Sequence, residues 1–426
     1  MSAGEGLAGQ PTSPLRLLSV NVNGLRGSAK RRQLFHALNA GPWDVVTLQE
    51  PHTTSLEEVE GWLREGAGRG LPFRGVCFVN PHTSTSAGTI TLIKSTAPVD
   101  SPTQFSAPAG GRLLSVQFSY AGLPFSVVNT YAPCESAERP SFYAQELPGA
   151  IPADGFVLAS GDWNMVCDWV DILGPSAGTR RFVGSHEFEA VLQRHGLVDA
   201  WRHLHPGERC FTYCARTAAG STGARLDRWY VPADLLPWVA SAGMVMDLPG
   251  DHFGVELTLV PPSVAAAGLP SGPGRFRLPL HHLSNPSFLA SASQCVQQFL
   301  QAHPEQPGGA RQRWEGLKAE LTHHCMASSA AQRRQEAAAR RSLVARLQAA
   351  QRALGSRPEL PALQAAYWQA LQRLRDHVAA EAAQRDELTP APGPSSACRP
   401  AVAQGWLAAL KDPSGIYPGF GLCRRL

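Results

Sequence analysis

The amino-acid sequence predicts a layered α/β domain over residues 15–261, followed by a helical extension over residues 285–388. In the first region, short runs rich in Val, Ile, Leu, Phe and Thr alternate with loops and helical segments. Beyond a Pro/Gly/Ala-rich linker at 262–284 this β-type pattern is lost, and apolar residues recur at helical spacing. With 43% hydrophobic and 17% charged residues, the chain can bury a sizeable core.

The strands of the first region are predicted from composition and from their boundaries. Each run is rich in β-branched or aromatic residues and is bounded by Gly, Pro, Asn or Asp. The predicted strands are residues 15–20, 45–49, 89–93, 113–119, 125–130, 156–160 and 255–260. Residues 31–40 and 187–195 are predicted to be helices between them.

The extension carries a helical stripe with steps of four, four, three and four, formed by Leu363, Tyr367, Leu371, Leu374 and Val378. A similar stripe over 343–354 predicts a preceding helix, and Pro358 and Pro361 separate the two. Six arginines decorate the earlier helix, at positions 333, 334, 340, 341, 346 and 352. Such a face is usually solvated, and binding of RNA or template is the alternative. Residues 1–14 and 389–426 are expected to be poorly ordered.

Net charge, cysteine content and the N-terminal residues limit the kinds of protein that this chain can be. A net charge of +4 is compatible with a nucleic-acid partner but does not argue for one. The nine cysteines show no framework spacing, which indicates free thiols in a reducing compartment. The first 14 residues lack the apolar core of a signal peptide, and no run is apolar enough for a membrane span. We expect an intracellular protein, nuclear or cytoplasmic, that is not secreted.

Polar residues follow the predicted strands at the points where they end. Asn21 follows the first strand, Glu50 the second, and Asp162 with Asn164 the sixth, while Asp251 and His252 precede the last. If these strands are neighbours, their polar ends collect at one rim as an oxygen-rich pocket. Such a pocket selects Mg²⁺, with Mn²⁺ as the alternative ion, and a histidine beside it suits proton transfer. Taken singly, each residue is as well explained as a turn, a cap or a buried acceptor.

Six short motifs stand out when they are taken in chain order. They are residues 19–26, 48–50, 129–133, 161–164, 225–228 and 250–252. With these motifs the sequence resembles the exonuclease III and abasic-endonuclease branch of the endonuclease/exonuclease/phosphatase superfamily over residues 15–260. The resemblance implies a four-layered α/β/β/α sandwich of two mixed sheets flanked by helices.

The resemblance is closer to the endonuclease domains of LINE-type (non-LTR) retrotransposon polyproteins. Segments 86–89, 111–114, 197–202, 211–213 and 272–277 look typical of that group. In such elements a helical connector and a reverse transcriptase follow the endonuclease. The chain has no Phe/Tyr-x-Asp-Asp polymerase motif, so we expect a truncated or partial element product.

The resemblance implies a metal site for Mg²⁺. It places Glu50 on the ion, with Asn21 and Asp251 at or near it. Asp162, Asn164 and His252 complete the set of candidate metal residues.

The resemblance also implies a hydrolytic mechanism on double-stranded DNA that leaves a 3′-hydroxyl and a 5′-phosphate. Asp162 orients or deprotonates the attacking water, and Asn164 donates a hydrogen bond to the pentacovalent phosphorane. His252 contacts a phosphate oxygen while Asp227 holds its imidazole in one tautomer. Tyr131 hydrogen-bonds the phosphate or assists the leaving group.

Two departures from the repair enzymes argue against an efficient abasic endonuclease, although neither removes a core catalytic group. Cys134 stands where those enzymes commonly carry Asn, and Asn23 stands where they often carry Asp. The alternatives are a cellular abasic endonuclease or exonuclease III-like repair nuclease, an inositol-phosphate or sphingomyelin phosphodiesterase, and a catalytically silent nucleic-acid-binding remnant.

Overall fold

The computed structural model describes residues 13–65, 73–108, 110–173, 179–217, 220–262, 285–304 and 310–387. The terminal segments expected to be poorly ordered and the linker expected at 262–284 lie almost wholly outside these ranges. The chain divides into two compact units. The first combines residues 1–272 with 340–380, and the second combines residues 273–339 with 381–426.

The described residues contain fifteen strands. In chain order they are β1 (Leu15–Asn21), β2 (Val45–Gln49), β3 (Gly75–Asn80), β4 (Thr89–Lys94), β5 (Val99–Ser106), β6 (Leu113–Tyr120), β7 (Leu123–Tyr131), β8 (Phe156–Asp162), β9 (Ile172–Leu173), β10 (Leu197–Asp199), β11 (Tyr213–Thr217), β12 (Gly220–Ala224), β13 (Asp227–Pro232), β14 (Val239–Val245) and β15 (Gly254–Leu259).

The α-helices of the same described ranges are α1 (Ser28–Ala40), α2 (Leu56–Glu65), α3 (Arg139–Ser141), α4 (Leu147–Ala150), α5 (Ser185–Arg194), α6 (Ala200–Leu204), α7 (Pro286–Ala302), α8 (Ala310–Ser356) and α9 (Pro361–Glu387). A π-helical turn (Phe142–Glu146) joins α3 to α4. Pro361 opens α9, a position where the missing backbone N–H has no intrahelical partner to lose.

The strands form two six-stranded mixed sheets and a small third sheet. The first has the order β14-β15-β1-β2-β4-β3, and the second has the order β10-β13-β8-β7-β6-β5. Each large sheet contains one parallel pair, β1 with β2 and β7 with β8, and its other neighbours are antiparallel. Strands β11, β12 and β9 make the third sheet.

Two faces of the large sheets pack against each other, and helices cover the outer faces. Leu17 and Leu257 of the first sheet share a buried cluster with Val127 and Leu158 of the second. Outside the first sheet, α1 and α2 bury Phe35 and Trp62, among other residues, against it. Outside the second, Phe142 and Phe188 pack with Tyr230 and neighbouring residues. This is the predicted four-layered α/β/β/α sandwich, which the structure confirms.

Every strand and helix predicted in the first region is present, with ends that differ by a few residues. Strand β13 escaped prediction although it is central in the second sheet. It begins with Asp227 and Arg228, which are both 1% exposed. Because charged residues are usually exposed, this segment did not have the apolar pattern of a buried strand. Arg228 lies between Asp171 and Asp199, at 3.6 and 3.9 Å, and such pairing makes burial of the charge tolerable.

Helices α8 and α9 contribute residues 340–380 to the first unit, and we call this part the helical hairpin. Its buried residues pack with Phe211 and Phe253 of the sandwich, and those from the two predicted stripes are Leu347, Leu354, Tyr367, Leu371, Leu374 and Val378. Leu343 and Leu363 of the same stripes are partly buried. The sequence predicts a single helical connector over residues 285–388. In the structure, residues 340–380 of this region belong to the first unit and the rest belongs to the second.

The six arginines of α8 lie at its surface or at its margins. Arg340 is paired with Asp247 at 3.2 Å, and the other five are exposed. Their binding of RNA or template stays a prediction. Within the described ranges, no helix combines the length and the apolar character that a membrane crossing requires.

Candidate active site

The strand register brings the predicted site residues to one rim of the sandwich. Parallel pairing sets Asn21 of β1 against Gln49 of β2, so Glu50 begins the loop beside Asn21. Antiparallel pairing sets Asp227 of β13 directly opposite Asp162 of β8, and the parallel β7–β8 pair sets Tyr131 beside Asp162. Because neighbouring strands end together, residues more than 200 positions apart in the chain meet here.

Asn21 links two carboxylates. Its Nδ2 donates to Oε1 of Glu50 at 2.7 Å and to Oδ2 of Asp162 at 2.9 Å. Its Oδ1 accepts from the backbone N–H of Asn23 at 2.9 Å. Since a backbone N–H can only donate, this contact fixes which end of the amide faces the carboxylates. Asn21 is fully buried and holds the two acids at a set separation.

Glu50 sits in a backbone conformation that few residues other than glycine adopt. Its φ is +53°, and His52 two residues later has a φ of +57°. The backbone N–H of Glu50 donates to the carbonyl of Gly88, and its own carbonyl accepts from Gly24. These contacts hold the turn so that the Glu50 carboxylate faces the rim, with the ring of His52 3.4 Å from its second oxygen. Left-handed residues of this kind cluster at functional sites.

A histidine and two aspartates form a second group. Nδ1 of His252 lies 2.8 Å from Oδ2 of Asp227, and Nε2 lies 3.9 Å from Oδ2 of Asp162. Burial lowers the pKa of His252, but the carboxylates of Asp227 and Asp162 outweigh it and raise that pKa to about 10. Burial and the charge of Asp227 raise the pKa of Asp162 above its ordinary value. The imidazole is therefore a cation at neutral pH, and Asp162 is a stronger base than a free aspartate.

Asn164 and Tyr131 meet at the thiol of Cys134. The Tyr131 hydroxyl lies 3.0 Å from Sγ of Cys134, and Nδ2 of Asn164 lies 3.7 Å from the same sulfur. The backbone N–H of Asn164 donates to Oδ1 of Asp162 at 2.9 Å. Burial and the charge of Glu50 raise the pKa of Tyr131, so its phenol stays protonated. The Cys134 thiol thus occupies a place between two candidate catalytic groups.

Asp251 offers a buried oxygen with no protein partner. Its Oδ2 accepts from Nδ2 of Asn23 at 3.0 Å. Its Oδ1 is inaccessible to solvent and has no hydrogen bond within the described part of the chain. Lys30, on the first turn of α1, donates to the carbonyl of Asn23 at 3.0 Å, and burial lowers its pKa. Lys30 was not predicted from the sequence, because nothing in its spacing separates it from a surface lysine.

These donors suit a hard divalent cation. Glu50 and Asp251 offer carboxylate oxygens, and Oδ1 of Asp251 has no hydrogen-bond partner among the described residues. Ligand atoms of Asp162, Asp227 and His252 lie within 4.8 Å of one another and could also hold an ion. An ion bound there would have to replace the 2.8 Å contact between Asp227 and His252. Binding at Glu50 or Asp251 would leave that contact in place.

Two polar residues within the motifs have structural roles that were not predicted. Nε2 of Gln49 donates to Oδ1 of Asn129 at 2.7 Å, and Nδ2 of Asn129 donates to the carbonyls of Leu48 and Ile90. All these atoms are buried between the two sheets. These buried amide hydrogen bonds join the two sheets just below the rim and limit their sliding. Oε1 of Gln49 has no hydrogen-bond partner among the described residues.

Residues 18–252 match the Endonuclease/Exonuclease/phosphatase family. The chain belongs to this family. The matched stretch includes every candidate site residue from Asn21 to His252, and the family predicted from the six motifs is confirmed. An endonuclease/exonuclease/phosphatase chain is a nuclease or phosphatase by family, and the described site has the carboxylates and histidine to act as one.

Known proteins similar to this family member include a transposon protein. The transposon TX1 uncharacterized 149 kDa protein of Xenopus laevis is 29% identical over 258 residues, which is 59% of this chain. The match spans 19% of that relative's length. This match confirms that the sequence is similar to that of a transposon protein, as predicted.

Solved structures similar to this chain include an AP endonuclease and the endonuclease domain of a non-LTR retrotransposon. The AP endonuclease LMAP of Leishmania major shares 19% identity, covering 58% of this chain and 88% of that one, with a TM-score of 0.48. The endonuclease domain of TRAS1, a telomere-specific non-LTR retrotransposon, shares 16% identity over 57% of this chain and 98% of that one, with a TM-score of 0.42.

Proposed function

We propose that this chain is a divalent-cation-dependent endonuclease that cuts double-stranded DNA, as in target-site nicking by a retrotransposon. The observation that carries the proposal is the position of Asp162. Its Oδ2 accepts from the amide of Asn21, which also binds Glu50, and lies 3.9 Å from Nε2 of His252. One rim therefore holds Asp162 as a proton acceptor, Glu50 as a carboxylate for the divalent cation, and His252 as a positively charged donor to the phosphate.

Asp162 is the proton acceptor in this proposal. Its raised pKa brings it closer to neutral pH, where a general base works best. Asn21 and the backbone N–H of Asn164 hold the carboxylate, so it can orient a water molecule. The water oxygen bonds to phosphorus and one of its protons passes to Asp162. The bond from phosphorus to the 3′ oxygen breaks, and its electron pair stays on that oxygen, which takes up a proton from solvent. The products are a 3′-hydroxyl and a 5′-phosphate.

Glu50 and Asp251 are the carboxylates that would hold Mg²⁺ or Mn²⁺, and Asn21 positions Glu50. The cation, when bound, neutralises charge on the phosphate and stabilises the leaving oxygen. In our assignment Asp162, Asn164 and His252 lie around the substrate phosphate rather than on the ion. The 2.8 Å contact of His252 with Asp227 supports this choice.

His252, Asn164 and Tyr131 would hold the reacting phosphate. His252 is protonated, so Nε2 can donate a charge-assisted hydrogen bond to a phosphate oxygen while Asp227 holds Nδ1–H. Nδ2 of Asn164 has one donor engaged with the carbonyl of Ala132 and one that points toward Cys134. Tyr131 remains a phenol and can donate to the leaving oxygen.

A plasmid-nicking assay tests the proposal. The full chain should convert supercoiled DNA to open circles with Mg²⁺ present and should fail with EDTA. A polymerase should extend the nick and a ligase should close it, because both reactions need a 3′-hydroxyl and ligation needs a 5′-phosphate. The Asp162→Asn protein is the matched control for contaminating nucleases.

Three further substrates separate the alternatives. Cutting confined to a duplex with an abasic site would favour a repair nuclease. Turnover of an inositol phosphate or sphingomyelin with no cutting of DNA would replace the proposal. DNA binding without turnover of any substrate would indicate a silent remnant. Target-site nicking also requires nuclear entry, which microscopy of the tagged full chain would show.

A further inference from the structure

The helical hairpin touches the backbone that supports the histidine–aspartate pair. Gln351 of α8 is 3% exposed, and its Nε2 donates to the carbonyl of Phe211 at 2.8 Å. Phe211 is fully buried and packs in the same cluster as Leu347, Leu354 and Phe253. The helical hairpin also accepts a hydrogen bond from Arg209 at the carbonyl of Gly355, at 2.8 Å. It therefore holds the segment around residue 211 by these two hydrogen bonds and by apolar contact.

Thr212, the next residue, joins the two segments that supply the pair. Its Oγ1 accepts from the backbone N–H groups of Leu226 and Asp227, at 2.9 and 3.1 Å. Its carbonyl accepts from the backbone N–H of Phe253 at 2.8 Å. Thr212 is fully buried, so water does not substitute for these contacts. Thr212 is therefore hydrogen-bonded both to the segment that carries Asp227 and to the segment that carries His252.

We propose that Gln351 is a positioning residue for the Asp227–His252 pair, and that the helical hairpin is part of the framework of the active site. The inference rests on the nuclease function proposed above. Gln351 acts through Phe211 and Thr212 and does not reach the substrate. Loss of its hydrogen bond leaves the Phe211 carbonyl buried without a partner, which loosens the segment that Thr212 must hold.

Hydrogen–deuterium exchange and nicking kinetics of the full chain test this role. Gln351→Met keeps the length and apolar stem of the side chain but removes the donor. We expect the amides of Asp227 and Phe253 to exchange about tenfold faster, and kcat for nicking to fall about tenfold with KM unchanged, the scale of one lost buried hydrogen bond. Gln351→Asn keeps the amide but shortens its reach, and it should show both effects to a smaller degree if the Met variant does not fold.

Gln364→Met is the matched control. Gln364 also ties the helical hairpin to the sandwich, since its Oε1 accepts from Oγ of Ser221 at 3.3 Å. That contact lies on β12 and involves none of the Thr212 partners. The control should leave kcat and the exchange of Asp227 and Phe253 unchanged.

Three results would decide against the inference or separate it from the proposed function. Unchanged exchange at Asp227 and Phe253 in both Gln351 variants would overturn it. Equal losses in the Gln351 and Gln364 variants would show a general stability effect and would also overturn it. If the parent chain does not nick DNA, the proposed function fails, and the exchange data still decide whether Gln351 positions the pair.

Discussion

Nδ1 of His252 lies 2.8 Å from Oδ2 of Asp227, and both side chains are buried. Asp227 opens β13 in the second sheet, while His252 precedes β15 in the first sheet. The pair therefore joins the two sheets at the rim where Asp162 lies. Its geometry allows the carboxylate to select the imidazole tautomer and to hold the imidazolium.

The first prediction concerns the pH dependence of nicking in Asp227→Asn. Asp227 and Asp162 raise the pKa of His252 to about 10, so the parent keeps the cation through neutral pH and loses it only in alkali. Removing the Asp227 charge lowers that pKa toward the ordinary value of about 6.5. We expect the alkaline limb of the rate profile to move to lower pH. Rates at saturating Mg²⁺ for the two proteins would test this, and coincident profiles would count against the pair.

The second prediction is that Asp162→Asn separates activity from stability. Asp162 is 1% exposed and faces the charge of Asp227, so its ionised form is costly in the folded protein. The amide keeps the shape and removes that repulsion, but its NH2 group replaces one of the two oxygens that accept from Asn21 and Asn164. Because these two effects oppose each other, we expect a Tm close to that of the parent together with a loss of nicking of about 10²–10⁴-fold, the usual contribution of a general base.

Asp154→Asn is the control for Asp162→Asn, because Asp154 is an exposed aspartate away from the rim. It should nick at the parental rate. A folded Asp162→Asn protein with parental activity would remove Asp162 from the mechanism.

The third prediction concerns the cation. Glu50→Gln removes a charge but keeps two polar atoms at the rim, and carboxylates bind Mg²⁺ far better than amides do. We expect the Mg²⁺ concentration for half-maximal nicking to rise by about tenfold or more, as for loss of one strong ligand contact. Isothermal titration with Mn²⁺ gives the same comparison without catalysis. Glu57→Gln on α2, an exposed site, is the control, and equal Mg²⁺ curves for both variants would refute the assignment.

The fourth prediction concerns a buried ion cluster around Asp171. Both carboxylate oxygens of Asp171 accept from Arg225 at 2.8 Å, and Arg202 pairs with the same carboxylate. Burial alone would raise the pKa of Asp171, but Arg225, Arg228 and Arg202 lower it. Asp171→Asn removes one of the two carboxylates that face these buried arginines, while Arg225 keeps its pair with Asp199 at 2.7 Å. We therefore expect a loss of about 1–3 kcal/mol in the free energy of unfolding at pH 7, the scale of a buried hydrogen bond to a charged group.

The pH dependence of that loss follows from the sign of the shift. A lowered pKa stabilises the folded state above the unfolded value of about 3.9, and the contribution disappears as pH falls through the folded value. The difference between parent and Asp171→Asn should therefore be constant above about pH 5 and shrink below about pH 4. Urea unfolding followed by circular dichroism at several pH values measures it. A difference that stays the same at pH 3 would contradict the shift.

The fifth prediction tests the packing of the helical hairpin. Leu354 is fully buried in the cluster that contains Phe211 and Phe253, whereas Leu360 is 37% exposed in the turn after α8. Leu354→Ala should lower the free energy of unfolding by about 2–5 kcal/mol through lost burial and a cavity. Leu360→Ala, the same chemical change, should cost little. Equal effects in chemical unfolding would show that residues 340–380 do not pack on the sandwich in solution.

Local chemistry was sufficient to predict much of the fold. The runs that became β1, β2, β4, β6, β7 and β8 are dense in β-forming residues and end in turn formers, so each identifies itself without long-range information. The spacing of the stripe that includes Tyr367 and Leu371 likewise predicts which face of the helix is buried. Strands β11, β12 and β13 carry glycine or charge, and their stability comes from pairing that no local pattern records.

The sequence by itself determined which residues compose the candidate site, because the motif order identifies Asn21, Glu50, Asp162, Asp227 and His252 together. Tertiary structure alone decided how they interact: Asn21 bridges two carboxylates, Cys134 contacts Tyr131, and Gln351 reaches the backbone beside Thr212. Each of these contacts depends on strand register and helix docking. Both arise from the burial of apolar surface over the whole domain, which acts on residues far apart in the chain and leaves no signature in any short segment.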